Sequence, residues 1–182
     1  GHPLHFFDAD KIQDNKLIIK TLPEGTIFQS LDEEKRKLSA EDLMICDTKN
    51  PLCIAGVLGG IDSGVTGQTK NLFIESAYFN PTFIRKTAKR HGLSTDASYR
   101  FERGADPNNT IFALKRAALL VKELANGTIS SDIVDKYPKI IENSIVNLKL
   151  ANLSRIGGIN IAYSTLKNIL QSLDIQILEE TQ

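Results

Sequence analysis

The sequence predicts an α+β fold, in which a region of short strands is followed by helices and then by the start of a second, small helical domain. Short apolar or β-branched runs divided by turn residues fill the first eighty positions, as is typical of antiparallel sheets. Two helical patterns follow, each opened by a capping residue and a proline. From Ile145 the pattern changes with fewer than forty residues left, so we expect domains over 1–140 and 141–182, the second of them incomplete.

Five runs are predicted strands because each combines β-branched or apolar residues with flanking turn signals. These runs are residues 17–20, 26–31, 43–46, 52–58 and 72–79. The third and fourth are expected to form a hairpin around Asn50-Pro51, and the nearly continuous apolar character of the fourth predicts that both its faces are covered. Residues 1–12 are expected to be a loop that enters a short strand, and the charge run at 32–37 a solvated turn.

Capping signals fix the predicted helices. The first is expected to run from Pro81 to about His91, with Asn80 as its N-cap and Gly92 as its stop. The longest begins at Asp106-Pro107, ends near residue 125 and carries an apolar stripe typical of a helix packed on a core. Residues 128–135 are a predicted strand, and the tail combines two short helical patterns with a final strand at 175–178.

The composition is that of an ordinary globular protein and excludes several classes. Hydrophobic residues make up 41% and charged residues 24% of the 182 positions. The net charge is zero, so any contact with nucleic acid must come from a local patch. No apolar run approaches the length that crosses a bilayer, and the start has no signal-peptide pattern. We therefore expect a cytoplasmic protein without membrane contact, and the abrupt start suggests a fragment of a longer chain.

The two cysteines, Cys46 and Cys53, are expected to be buried free thiols, which fits a reducing compartment. A disulfide across the predicted hairpin is geometrically possible. Neither thiol has further Cys or His residues at ligand spacing, so no metal site is expected.

The stretch from Gly92 to Gly104 is interpreted as the rim of a pocket, because hydroxyl, acidic and arginine side chains are unusually dense there. Residues 53–60 and 72–80 are expected to supply the pocket floor. Glu75 shares a strand face with apolar neighbours, which places a carboxylate either at a sheet edge or in a pocket. His5 also lies among apolar residues, and from sequence alone a core histidine with satisfied hydrogen bonds is the favoured interpretation.

Two further features allow more than one interpretation. Five glycines lie between residues 56 and 67, where backbone N–H groups would wrap an anion or where the chain simply turns tightly. The loop lacks the Lys-Ser/Thr ending of a P-loop, which argues against a nucleoside triphosphate site. Cations crowd the first helix and the rim, as either a solvated face or a phosphate-binding patch. They are Arg85, Lys86, Lys89, Arg90, Arg100 and Arg103.

Four motifs, in this order and spacing, resemble the β subunit of bacterial phenylalanyl-tRNA synthetase. They are GHPLHFFD (1–8), IAGVLGG (54–60), FIESAYFNP (73–81) and GLSTDASYRFERGAD (92–106). The tail, with SRIGG (154–158), resembles the opening of the next domain. The resemblance covers the editing and tRNA-binding module and the start of the following small domain. It implies a β-sandwich core flanked by helices, and a site that hydrolyses tyrosine mis-attached to tRNA(Phe).

The resemblance also implies roles for individual residues. The editing pocket would contain His5, Gly59, Glu75, Thr95 and Ala97, with His5, Glu75 and Thr95 in the catalytic role. From the residues themselves, and not from the resemblance, the basic group of Arg85, Lys86, Lys89 and Arg90 is the candidate for contact with tRNA phosphates. The family carries a pocket arginine in a segment upstream of the first motif, which this sequence does not include, and His2 stands where the family has glutamine.

The chemistry of the pocket explains these residue types. A pocket built for phenylalanine rejects tyrosine by only about a hundredfold, so a second site that demands the hydroxyl is useful. Glu75 would accept the phenolic O–H, Gly59 would admit the aminoacyl backbone, and Ala97 would keep the ring slot open. His5 would orient the ester or a water, Thr95 would line the pocket near the tRNA end, and no nucleophilic side chain is needed.

The resemblance implies partners for the whole enzyme: tRNA(Phe) and a catalytic α subunit, in an α2β2 heterotetramer that uses ATP and magnesium. No cofactor is expected in this chain itself. Two alternatives stay open: a non-catalytic tRNA-binding or subunit-assembly module, and an unrelated small-molecule-binding protein. The second alternative leaves most of the motifs unexplained.

Overall fold

The computed structural model describes residues 1–180, and it confirms the α+β class. By contacts the chain divides into two compact units, Gly1–Asp135 and a second that begins at Lys136. Residues 181 and 182, at the end of the predicted second domain, lie outside the described residues.

Eight short strands build the first unit, all of them paired antiparallel. They are β1 (His5–Asp8), β2 (Ile18–Thr21), β3 (Ile27–Gln29), β4 (Lys35–Lys37), β5 (Leu43–Cys46), β6 (Pro51–Ile54), β7 (Leu58–Gly59) and β8 (Leu72–Glu75). The strands form three sheets with the orders β1-β8, β2-β5-β6-β7 and β3-β4. The predicted strands at 17–20, 26–31 and 43–46 are confirmed in position as β2, β3 and β5. The predicted run at 72–79 is a strand only over Leu72–Glu75, and the run at 52–58 is divided between β6 and β7.

Three helices follow in this unit: α1 (Pro81–Arg90), α2 (Asp96–Phe101) and α3 (Thr110–Ala125). The predicted start of α1 is confirmed, because the Asn80 side chain accepts a hydrogen bond from the Thr82 N–H at 3.0 Å. The longest helix starts later than predicted, since Pro107–Asn109 forms a short 3-10 turn before it.

One hydrophobic core joins the three sheets to the helices. Phe7 of β1, Phe28 of β3 and Ile54 of β6 are all buried in it, although they belong to different sheets. Ile84 of α1 and Phe101 of α2 pack into the same core. The sheets are individually too small to be stable, so this shared core holds them in place.

A buried carboxylate ties α1 to the strands. Asp42 is fully buried just before β5, where it accepts hydrogen bonds from the Thr87 hydroxyl at 2.9 Å and from the Arg90 guanidinium, and His91 Nε2 lies 2.7 Å away. Burial alone would raise the pKa of the Asp42 carboxyl, but hydrogen bonds from Ser39, His91 and Thr87 hold that pKa below its ordinary value. Arg90 is therefore committed to an internal ion pair.

The charge run at 32–37 was expected to be a turn, and that prediction is wrong for its second half. Lys35–Lys37 forms β4 and pairs with β3, with Phe28 opposite Arg36. The strand tolerates its charges because both lysines are exposed while Arg36 turns toward Asp32 and donates to the Ser30 hydroxyl at 2.9 Å.

The strands predicted at 128–135 and 175–178 are not formed. A lone extended segment needs a neighbouring strand, and these residues have none within the described part of the chain. Val134, for example, is 80% exposed. The second unit instead contains α4 (Leu150–Gly157) and α5 (Tyr163–Ser172), which match the two predicted helical patterns.

Both cysteines are buried free thiols, as predicted. Burial raises the pKa of Cys53 well above its ordinary value, and the nearby Glu75 carboxyl acts in the same direction. Among residues 1–180, no helix has the length and apolar character required to cross a membrane.

Candidate functional site

A cavity of about 240 Å³ lies where the three predicted pocket segments meet. The segment 92–104 contributes Thr95, Asp96, Ala97 and Phe101. The run 53–60 contributes Cys53 and residues 56–59, and the run 72–80 contributes Glu75 and Phe79. The structure thus brings together five residues singled out from the sequence: His5, Gly59, Glu75, Thr95 and Ala97. Their chemical roles stay predictions.

His5 and Glu75 face each other across a strand pair. β1 and β8 are antiparallel, and their register places His5 directly opposite Glu75. Side chains at directly opposed positions lie on the same face of the sheet, with Cβ atoms about 5 Å apart. The pairing explains why two residues seventy positions apart in the chain line one cavity.

Glu75 is a carboxyl group without a partner. It lines the cavity, is half-buried, and makes no side-chain hydrogen bond or ion pair with any residue in the range 1–180. Desolvation by burial raises its pKa from the ordinary 4.5 to about 7. Near neutral pH this group is therefore partly ionised and available to exchange a hydrogen bond with a ligand.

His5 also has an unpaired atom. Its Nε2 is buried and has no hydrogen-bond partner in the described part of the chain, so the interpretation as a satisfied core histidine is wrong. The ring packs edge-on against Phe7, with centroids 4.3 Å apart. Burial lowers the pKa of His5 below 6.5, which keeps the ring neutral at pH 7. Unpaired buried polar atoms are rare in native proteins and call for an explanation.

Two glycines shape the pocket floor. A Cβ at Gly59 would lie 2.6 Å from Cε1 of His5, so only glycine leaves room for the imidazole. Gly56 has a φ of +68°, and a Cβ there would lie 2.7 Å from the Phe79 ring and 3.2 Å from the Phe101 ring. The pocket floor therefore contacts the His5 ring at Gly59, and the Phe79 and Phe101 rings at Gly56.

Thr95 fastens the rim to the floor. Its hydroxyl donates to the carbonyl oxygen of Val57 at 2.7 Å and accepts from the Ser98 N–H at 3.0 Å. Ser98 returns the contact by accepting from the Thr95 N–H, which completes a capping box at the start of α2. The hydroxyl hydrogen of Thr95 is thus already donated to Val57, so the geometry supports a positioning role for Thr95.

An aromatic wall was not found from the sequence. Phe79 and Phe101 pack edge-to-face with centroids 5.0 Å apart, and the His2 ring lies edge-on to Phe101 at 5.9 Å. His2 is held by a 3.0 Å contact between its Nε2 and the Ala77 carbonyl oxygen. The only signal available in the sequence was the position of these two phenylalanines within the motifs at 73–81 and 92–106.

The glycine-rich loop is fastened to the protein itself. Asp8 N–H donates to the Ser63 carbonyl at 3.0 Å, the Ser63 hydroxyl donates to the Leu52 carbonyl at 3.0 Å, and Lys11 Nζ donates to the Gly64 carbonyl at 3.0 Å. These contacts favour the interpretation as a tight connection over that as an anion cradle.

The basic group on α1 divides into two kinds of residue. Arg85, Lys86 and Lys89 are exposed and make no ion pair within residues 1–180. Arg90 instead pairs with Asp42 and Glu41. Three of the four predicted tRNA-binding cations are thus available to a ligand, and the fourth has a structural partner.

No cluster of three or more His, Cys, Asp or Glu side chains suited to a metal ion occurs in the region that the structure describes. The cavity is lined mostly by apolar atoms, with two carboxyl groups (Glu75, and Asp96 at the rim), the His5 imidazole, the Thr95 hydroxyl and the Cys53 thiol. Such a lining suits a ligand with an apolar body and a single polar group.

Comparison of the sequence with known proteins shows the family to which it belongs. Residues 1–126 match the family described as B3/4 domain. The whole chain is 56% identical over 181 residues to a protein of Bacteroides thetaiotaomicron, of which it covers 22%. Identities are 46% to a protein of Porphyromonas gingivalis (99% of this chain, 22% of the relative) and 40% to one of Geobacter sulfurreducens (96% and 22%). All three are named phenylalanine--tRNA ligase beta subunit, and the chain spans about a fifth of their length.

Proposed function

Because this chain belongs to the B3/4 domain family, and matches part of the phenylalanine–tRNA ligase β subunit over its whole length, we propose that it is the editing module of that subunit. Its reaction is hydrolysis of the ester that joins tyrosine to tRNA(Phe). The observation that carries the proposal is the cavity in which Glu75 and the unpaired Nε2 of His5 lie on one face of an otherwise apolar site.

The pair of polar groups supports selection of tyrosine over phenylalanine. The phenolic hydroxyl of tyrosine donates to the Glu75 carboxylate, and its oxygen accepts from the Nε2 of a neutral His5 in the Nε2–H tautomer. Phenylalanine offers neither contact, and its ring displaces water from both groups without replacing the hydrogen bonds. Each unsatisfied group costs on the order of 1–3 kcal/mol, and more for a charged one, which is sufficient for strong discrimination.

The wall supports the same substrate. Phe79 and Phe101 form an apolar surface against which an aromatic ring packs, and Ala97 leaves the space that a larger side chain would fill. At about 240 Å³ the cavity lies below the roughly 300–1,000 Å³ typical of sites for drug-sized ligands. It therefore suits one amino-acid side chain.

Hydrolysis itself needs little from the protein. The ester is already activated, and holding a water in line with it supplies much of the rate enhancement. Thr95 and α2 fix the rim at which the ester would lie, through the Thr95–Val57 hydrogen bond. We assign no covalent intermediate to the site.

The test is release of tyrosine from preformed Tyr-tRNA(Phe), with Phe-tRNA(Phe) as the competing substrate. We expect Glu75→Ala to abolish the preference for tyrosine without loss of fold, and Ala97→Trp to block release by filling the ring slot. Glu123→Ala, at an exposed carboxylate on α3, is the matched control. Undiminished preference in the Glu75 variant would refute the assignment. Absence of release from the parent chain, with tRNA binding retained, would favour a non-catalytic binding module.

The exposed cations of α1 are proposed to contact tRNA phosphates. We expect Lys86→Glu and Lys89→Glu to weaken tRNA binding, and each lost phosphate contact to reduce the slope of log K against log salt by about 0.7–0.9. Lys122→Glu on α3 is the control for a general change in charge. Arg90→Glu should instead lower the free energy of unfolding, because it leaves the buried Asp42 without its cation. Equal effects of the α1 and α3 variants on tRNA binding would contradict the proposal.

The remaining parts of the enzyme are proposals for the whole protein. The family resemblance assigns ATP, magnesium and the synthetic reaction to a catalytic α subunit, in an α2β2 heterotetramer located in the cytoplasm. No residue of this chain is proposed to bind ATP or a metal ion.

A further inference from the structure

An exposed tyrosine and an arginine form a stacked pair beside the pocket. Tyr99 is 54% exposed on α2, and the guanidinium carbon of Arg103 lies 3.6 Å from the centre of its ring. The Arg103 side chain is itself 55% exposed. The pair is not needed for the core, because α2 packs through Ser98 and Phe101.

The guanidinium is held in place before any ligand binds. Its Nη1 donates to the Tyr99 carbonyl oxygen at 2.9 Å and also contacts the Glu102 carboxylate. An arginine fixed in this way loses less rotamer freedom on binding than a free surface arginine does. The two planar groups therefore present a preorganised flat surface.

The surface adjoins the cavity through a short, rigid link. Asp96, Ala97 and Phe101, on the same helix as Tyr99, line the cavity. Tyr99 lies between Ala97 and Phe101 on α2, so it is only about 3 Å from each of them along the helix axis, at a rise of about 1.5 Å per residue. At about 100° per residue its side chain leaves the helix on the side opposite to Ala97, so the pair lies on the outer side of the helix whose inner side lines the cavity. α1, which carries the exposed cations Arg85, Lys86 and Lys89, packs against α2.

The chemistry selects one class of occupant. Flat aromatic and guanidinium surfaces bind unpaired nucleobases by stacking, without regard to base identity, and nearby cations attract the phosphates between those bases. An ester that enters the pocket on the end of an RNA must bring unpaired terminal nucleotides past the rim. The stacked pair lies on the outer side of the helix that forms the rim, with the positive charge of Arg103, so the base that it receives is one that precedes the terminal nucleotide.

We infer that Tyr99 and Arg103 form a stacking platform for an unpaired nucleobase near the 3′ end of the RNA whose terminal ester occupies the pocket. The inference rests on the proposed function for the identity of the RNA end. The platform acts on binding of the nucleotide part, whereas His5 and Glu75 act on the amino acid.

The test measures binding of the whole chain to a fluorescently labelled single-stranded RNA that ends in CCA, by anisotropy, at several salt concentrations. We expect Tyr99→Leu to weaken binding by about 5- to 150-fold, the range for loss of one base–aromatic stack, with an unchanged salt slope because no phosphate contact is lost. Tyr99→Phe keeps the ring and should retain the parental Kd. Arg103→Lys keeps the charge and should weaken binding, because it loses the planar group.

Tyr163→Leu is the matched control. Tyr163 is an exposed tyrosine at the start of α5, with the Lys167 ammonium 5.1 Å from its ring centre, and lies in the other unit of the chain. A blunt duplex in which the terminal bases are paired should bind less tightly than the single strand and should not respond to Tyr99→Leu. Parental affinity in Tyr99→Leu, equal loss in Tyr163→Leu, or no binding of the single strand by the parent chain would each overturn the platform.

A second measurement separates failure of the platform from failure of the proposed function. Tyrosine ethyl ester carries no nucleotide, so its hydrolysis depends on the pocket alone. We expect Tyr99→Leu to leave that hydrolysis unchanged while raising KM for Tyr-tRNA(Phe). Ester hydrolysis together with an unchanged KM would overturn the platform and leave the editing function standing. Absence of tyrosine release from Tyr-tRNA(Phe) together with Tyr99-dependent RNA binding would reject the editing function alone.

Discussion

Glu75→Gln tests the electrostatic state of the pocket without reference to any substrate. The substitution keeps the size of the side chain and removes its ability to ionise. Burial raises the pKa of Glu75 from 4.5 to about 7 in the folded protein, so the folded state binds a proton that the unfolded state has already lost in this range of pH. Stability that is present in acid is therefore lost as the pH rises through 7, and the glutamine variant is exempt from this loss.

The size of the effect follows from the pKa difference. At about 1.36 kcal/mol per pH unit, a rise from 4.5 to about 7 corresponds to about 3 kcal/mol when the carboxyl is fully ionised. Part of that cost is already present near pH 5, and water in the half-buried pocket screens some of the rest. We expect Glu75→Gln to gain about 2 kcal/mol relative to the parent between about pH 5 and about pH 8.5.

The assay is urea unfolding of both proteins at the two pH values, with the free energy of unfolding taken by linear extrapolation. Effects of the substitution on packing are the same at both pH values and cancel in the comparison. Glu123→Gln, at an exposed carboxylate on α3, supplies the baseline. A gap between parent and variant that stays constant across this range would show that the Glu75 carboxyl is not desolvated, and would remove the electrostatic basis of the pocket.

Two further predictions concern the supports of the pocket. Gly59→Ala places a Cβ 2.6 Å from Cε1 of His5. We expect this variant to lose tyrosine release in a deacylation assay and to lose about 1–3 kcal/mol of unfolding free energy in urea. Retained activity would show that the imidazole has room to move. Thr95→Ala removes the α2 cap and the hydrogen bond to Val57, and should lower the free energy of unfolding by about 1–2 kcal/mol. Thr95→Ser keeps the hydroxyl and should be close to the parent in stability and activity. An inactive serine variant of full stability would show that the threonine has a chemical role as well.

Helices and turns whose signals lie in neighbouring residues of the chain were predicted well. The Asn80-Pro81 start of α1 and the hairpin between β5 and β6 follow from capping and turn residues that act on their immediate neighbours. The strands expected at 128–135 and 175–178 failed, because a strand depends on a partner that the local sequence does not specify. The charged strand β4 was not predicted, because it forms by pairing with β3 and its own residues do not indicate a strand.

The candidate site divides in the same way. His5, Gly59, Glu75, Thr95 and Ala97 were singled out from motifs, and the structure brings them into one cavity. Motifs did not indicate that the Thr95 hydroxyl is used by Val57, or that Phe79 and Phe101 pack as a wall. These contacts join residues more than twenty positions apart in the chain, and only packing determines them.

The sequence by itself determined the α+β class, the main capped helices, the buried free thiols and the motifs that mark the family. Those features depend on residue type and on neighbours along the chain. The tertiary structure alone decided which charges are free and which polar atoms are unpaired. Arg90 differs from Lys86 and Lys89 because Asp42, from a distant segment, is buried beneath it. The pKa of Glu75 is likewise a property of its surroundings, since desolvation arises only when apolar atoms from several segments displace water around the carboxyl.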